Sequence, residues 1–188
     1  GAKGDGFDQL EKRLEGIEST SSMPLDFQEP PEDQLKNLGN LYTQGQYQEA
    51  LTQSSQLLEK FPSSINLYNI LGAINHGSGK LDEAIASYKK ALSLKPDFAE
   101  AYNNMGNALK EQGKLEEAIE AYTKAISIEP DHAEAYYNTG VILQGVGKRE
   151  EAIKAYTKAI SIKPEYAEVY NNLGVALKEQ GKLERAVE

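Results

Sequence analysis

Between residues 99 and 132 the apolar and small side chains fall at helical intervals. Tyr102, Met105, Gly106 and Leu109 occupy i, i+3, i+4 and i+7, one stripe along a first helix. Leu115, Ala118, Ile119, Tyr122, Ala125 and Ile126 form a second stripe. Between them Gly113 supplies the left-handed residue that closes a helix at low conformational cost. Pro130 ends the second helix, because it lacks an amide proton and clashes with the preceding turn. The pattern predicts a helical hairpin, with Gly106 and Ala118 as the small residues that let its helices approach closely.

The hairpin recurs. AYNNMGNALKEQGKLEEA, beginning at Ala101, returns from Val169 as VYNNLGVALKEQGKLERA. Pro62, Pro96, Pro130 and Pro164 each lie 34 residues after the last. Gly45, Gly79, Gly113, Gly147 and Gly181 keep the same step, as do Ala50, Ala84, Ala118, Ala152 and Ala186. A fixed period of this size marks a stacked array, since one hairpin cannot bury both of its stripes. The units read as 31–64, 65–98, 99–132, 133–166 and a partial 167–188.

Tyr102, Met105-Gly106, Leu109, Ala118, Tyr122, Ala125 and Pro130 resemble the tetratricopeptide repeat in order and spacing. The resemblance covers 31–188 and implies an all-α, right-handed solenoid of helix-turn-helix hairpins. Departures are local. The first unit is divergent, with Leu38-Gly39 one place late and Ser54 and Leu57 where Tyr and Ala recur later. Asn75 and Thr139 put polar atoms into apolar stripe positions, so those first helices should be the less stable ones.

Residues 1–30 read differently. Phe7, Leu10, Leu14 and Ile17 make a short amphipathic stripe, followed by a Ser- and Pro-containing linker. The leading Gly looks like a tag remnant. The last residue, Glu188, falls inside a second helix and leaves Leu173, Leu177, Leu183 and Val187 without their next neighbours. The sequence is therefore expected to be a piece of a longer chain. End-to-end self-association is expected through that unfinished repeat or the 7–17 helix.

Charge and composition narrow the partners. A net charge of −9 with no basic run disfavours nucleic acid, which needs cations to displace phosphate counterions. The absence of cysteine removes disulfides, thiol catalysis and cysteine-ligated zinc. With no apolar stretch of membrane length and no signal-peptide core, the reading is cytoplasmic, without a membrane partner.

Candidate chemistry is scarce. GSGK at 77–80 lacks the P-loop spacing, with Ile74 and Leu81 at the places of its first glycine and its Ser/Thr, and repeats as a hairpin turn. His76 and His132 read as solvated surface residues, and no metal ligand set or cofactor motif is present. Glu116-Glu117 and Glu150-Glu151 open second helices, where carboxylates favour the helix dipole. No catalytic constellation emerges, and the reading is non-enzymatic.

The surface remains. Opposite the first-helix stripe lie Glu100, Asn104, Asn107 and Glu111; the next units place Glu134, Asn138, Val141 and Gly145, then Glu168, Asn172, Val175 and Glu179. Asn69, Asn103, Tyr137 and Asn171 flank this face. The resemblance implies that the face lines a concave groove. Asn104, Asn138 and Asn172 match the asparagine ladder in the repeat region of the O-linked N-acetylglucosamine transferases; Ile70 interrupts it. A carboxamide offers both a donor and an acceptor, which suits a peptide backbone of any sequence. The Lys and Arg set of arrays that clamp C-terminal carboxylates is missing. These features point to a protein-interaction scaffold for extended peptides. The alternatives are the targeting arm of a glycosyl-, sulfo- or methyltransferase continuing past Glu188, or a self-assembly module.

Overall fold

Helices form wherever an apolar stripe runs between a glycine turn and a proline. The computed structural model describes residues 28–181, so the 7–17 helix, Leu183 and Val187 lie outside the described residues. The chain divides into two units, residues 1–96 and 97–188. The first contains α1 (Glu32–Thr43), α2 (Tyr47–Lys60), α3 (Ile65–Gly77) and α4 (Leu81–Leu94). The second contains α5 (Ala99–Glu111), α6 (Leu115–Ile128), α7 (Ala133–Gly145), α8 (Arg149–Ile162) and α9 (Ala167–Glu179). Among the described residues there is no strand, and in each unit consecutive helices pack as antiparallel neighbours. This is the all-α helical-repeat fold that the period predicts.

The hairpin turns share one geometry. Gly45, Gly79, Gly113, Gly147 and Gly181 adopt φ between 73° and 81°, the left-handed region. In the 99–132 hairpin Gly113 N donates to Lys110 O and Lys114 N to Leu109 O, both at 3.0 Å. This 6→1 closure satisfies carbonyls that would otherwise be orphaned at the end of α5. The 31–64 hairpin repeats it, with Gly45 N on Tyr42 O and Gln46 N on Leu41 O, both at 2.9 Å.

The helices of each regular hairpin cross at a glycine pressed against a tyrosine ring. A Cβ added at Gly72, Gly106 or Gly140 would lie 2.4, 2.5 or 2.6 Å from the Cε1 of Tyr88, Tyr122 or Tyr156. Those three tyrosines are among the largest fully buried side chains. In the first hairpin the equivalent positions hold Leu38 and Ser54, both 0% exposed. The large residue has moved to the first helix and the small one to the second, so this pair is inverted rather than displaced by one place.

Burial is wider than the predicted stripe. Ala101 and Ala108 are also sealed, on the side of the stripe that borders Met105. A first helix inside a stack touches its own second helix and the neighbouring hairpin, so it is buried on two sides. His132 corrects the surface reading. It is 5% exposed, and its Nδ1 accepts from Ala135 N at 3.4 Å, capping α7. Asn75 is buried, and Thr139 bonds back to Ala135 O at 2.8 Å. Glu29, assigned to a linker, is tied down. Its carboxylate accepts from the Ser64 hydroxyl, from Ile65 N at 2.9 Å and from Asn66 N at 3.4 Å. A carboxylate on these free amides, at the positive end of the α3 dipole, pins the segment to the second hairpin.

Candidate functional site

The first helices α5, α7 and α9 carry the predicted groove residues of the second unit, and the stack brings several together. Tyr137 of α7 donates from its hydroxyl to Glu168 Oε1 of α9 at 2.7 Å. Asn172 Nδ2, one turn along α9, donates to the same hydroxyl oxygen at 3.1 Å. The Tyr137 ring packs against Tyr156 and Tyr166, with centroids 6.1 and 5.3 Å apart, which fixes where that hydroxyl points. Burial raises the phenol pKa above its ordinary value, and the bond to Glu168 adds to the rise, so Tyr137 is a permanent donor here.

A second cluster joins α5 to α7. The half-buried Lys110 extends its Nζ to Asn138 Oδ1, 3.1 Å away. Asn138 is 5% exposed, and its Nδ2 is buried with no hydrogen-bond partner. Burial lowers the Lys110 pKa, while Glu111, Glu134 and Glu168 partly offset the shift by favouring its charged form. Asn107 accepts from the Tyr122 hydroxyl at 2.8 Å. In the next hairpin that position is Val141, which cannot accept, and Tyr156 donates instead to Gln144 Oε1 at 2.9 Å. Burial, with Glu179 nearby, pushes the Tyr156 phenol up to about 12.

The other predicted residues sit elsewhere. Asn69, in the first unit, and Asn103 are each 1% exposed, and Glu100 is 5% exposed. These three are core-facing and do not present side chains to solvent. Asn104 is half-buried, and Asn171 is exposed on α9. Of the three-asparagine column, Asn138 and Asn172 thus join polar networks through different partners. Lys110 and Gln144 were missed by sequence reasoning. They share one position of the period, yet it holds His76, Lys110, Gln144 and Lys178 in successive units. Nothing at that variable position signals a bond to a residue 28 places ahead.

In the first unit a shallow cleft of about 480 Å³ is lined by Asp33, Gln34, Asn37, Gln53, Gln56, Leu57 and Lys60. Asn37 Nδ2 bridges it to Gln53 Oε1 at 2.8 Å. No group of acidic, histidine or cysteine side chains suited to a metal occurs among the described residues. No described helix is long and apolar enough to cross a membrane. What these clusters offer is hydrogen bonding and charge.

A tetratricopeptide-repeat family model matches residues 74–113, 106–147 and 146–181, and a second one matches 37–64. The chain belongs to the tetratricopeptide-repeat family. A tetratricopeptide-repeat chain of this kind is a protein-interaction scaffold. Among solved structures, a crystal structure of MamA is similar at 31% identity and a TM-score of 0.71 over 80% of this chain and 88% of that one. MamA from Desulfovibrio magneticus shares the fold at 22% identity and a TM-score of 0.69, over 82% and 90% of the two chains. PilF of Pseudomonas aeruginosa does so at 21% identity and 0.77, over 82% and 71%. No curated protein sequence matches the chain. The likeness to the O-linked N-acetylglucosamine transferases rests on the asparagine column alone.

Proposed function

We propose that this repeat protein binds extended peptide segments along the first-helix face of its second unit. The observation that carries this reading is the state of Asn138. Its oxygen is held by Lys110 while its amide donor has no partner. Buried donors in folded proteins are nearly always satisfied, so an unpartnered one on a repeat helix is a place for a carbonyl once the side chains over it move. Asn172 and Tyr137 supply further polar groups nearby, and Asn104 holds the equivalent position on α5. Backbone carbonyls and amides are alike in every peptide, so the groups favour conformation over sequence.

Replacing Asn104, Asn138 and Asn172 together by Ala tests the reading. Each neutral hydrogen bond contributes about 0.5–1.5 kcal/mol. The triple variant should therefore lose about 2–4 kcal/mol, roughly thirty- to thousandfold in affinity for a fluorescent peptide library. The loss should be similar for unrelated sequences. Unchanged library binding by the triple variant would sink the reading. Asn138→Ala alone also releases Lys110, so circular dichroism of each single variant accompanies the titration.

A further inference from the structure

Within the groove reading, which this inference takes as its basis, we infer that the Lys110 ammonium is a built-in occupant of a subsite for a lysine or arginine side chain of the bound segment. The partner enters by displacing it.

The carboxamide of Asn138 is held at one end by a cation, and at the other its amide is buried without a partner. The ammonium on it lies in the field of Glu111, Glu134 and Glu168, three carboxylates against one positive charge. Glu168 already accepts from Tyr137 through Oε1 alone, and a carboxylate oxygen has room for more than one donor. The subsite stays acidic even with Lys110 in place, and an external cation gains from the same carboxylates.

Lys110 is an exchangeable occupant. Threading a long side chain into a half-buried site restricts its rotamers and strips water from its charge. The lowered Lys110 pKa registers that desolvation. The hairpin does not need lysine at this position, because the next one folds with Gln144 there, bonded to the Tyr156 hydroxyl. When Lys110 swings out, the Asn138 oxygen and its buried Nδ2 become available together. A segment that brings one cationic side chain and its own backbone carbonyl matches both atoms. An acidic segment would have to approach against three carboxylates. That excludes it as the occupant.

The test uses the full chain and labelled, capped nonapeptide pools whose central residue is Lys, Gln or Glu. Binding is read by fluorescence anisotropy, with circular dichroism and melting as controls for folding. The parent should prefer the Lys pool over the Gln pool by about tenfold, the scale of one charge-assisted hydrogen bond. Lys110→Met keeps the stem and removes the charge, and it should tighten the Lys pool several-fold while leaving the Gln pool unchanged. Glu134→Gln with Glu168→Gln should abolish the preference. Glu116→Gln with Glu117→Gln makes the same change in net charge on the exposed start of α6 and should not. If Lys and Gln pools bind alike, or Lys110→Met weakens both, this inference is overturned and the groove reading stands. If the Glu pool binds best, Lys110 is itself a ligand contact and the cation subsite is wrong. If no pool binds a natively folded protein, both readings fail together.

Discussion

The first hairpin and the hairpins that follow cross their helices by opposite means. In 65–98, 99–132 and 133–166 a glycine on the first helix makes room for a tyrosine on the second. In 31–64 leucine stands at the glycine position and serine at the tyrosine position, and both are sealed from solvent. The summed volume is shared differently, but the crossing is filled either way. The difference is in polar chemistry. Tyr122 and Tyr156 reach through the crossing to donate to Asn107 and Gln144 on their first helices. Ser54 is too short, and its hydroxyl is buried without a partner. The 99–132 and 133–166 hairpins therefore couple their core to the polar side chains of the first helix, and through Ser54 the first hairpin does not. Its first helix bridges to Gln53 through the exposed Asn37, outside the core.

Transplanting the inverted pair should give the largest effect. Gly106→Leu puts a branched side chain where even a Cβ lies 2.5 Å from a fully buried ring. Overpacking of this kind costs about 3 kcal/mol in a rigid crossing. Adding Tyr122→Ser restores the arrangement of the first hairpin, and about half of the loss should return, a coupling within the range of contacting residues. Thermal and urea melts of the two singles and the double measure it. If the double equals the sum of the singles, the pairs are not equivalent solutions to one crossing.

Much of this was legible in the chain. The period, the turn glycines and the glycine–tyrosine landmarks follow from spacing, because each is enforced by backbone geometry repeated in every unit. The inversion at Leu38 and Ser54 was visible as a departure but read as a shift, since a sequence shows residue positions and not shared volume. The groove residues were less legible. Helical periodicity places Asn103 and Asn69 beside an open face, but a first helix in a stack is covered on two sides, and both are buried. The Lys110–Asn138 bond joins consecutive units at a variable position, which no period can reveal. His132 looks like a loop residue until the start of α7 is seen to need its cap.

Turn glycines should show where the two regions agree. Gly45 and Gly113 adopt φ of 73° and 76°, and a Cβ at either would meet nothing within 4 Å. Alanine there therefore strains the backbone without touching any neighbour. Left-handed backbone costs an L-residue about 1–2 kcal/mol, so Gly45→Ala and Gly113→Ala should lower stability by that amount, and equally. Denaturant midpoints compare them. A clear inequality would mean that the first turn differs in more than its flanking side chains.

The smallest effects should carry opposite signs in the two regions. Tyr122→Phe removes the donor to Asn107 at 2.8 Å and should cost about 0.5–1.5 kcal/mol, with little change in packing. Ser54→Ala removes a buried hydroxyl that has no partner, which relieves a desolvation penalty of order 1 kcal/mol. It also exchanges serine for a better helix former, worth up to about 0.5 kcal/mol. Ser55→Ala separates those terms. Ser55 sits on the exposed face of the same helix, where its Oγ bonds Leu51 O at 2.9 Å, so its replacement reports propensity without relief of burial. Ser54→Ala should therefore stabilise the protein by more than Ser55→Ala does, while Tyr122→Phe destabilises it. If Ser54→Ala is destabilising, its hydroxyl has a partner in solution, and the first hairpin is wired into its neighbours as the others are.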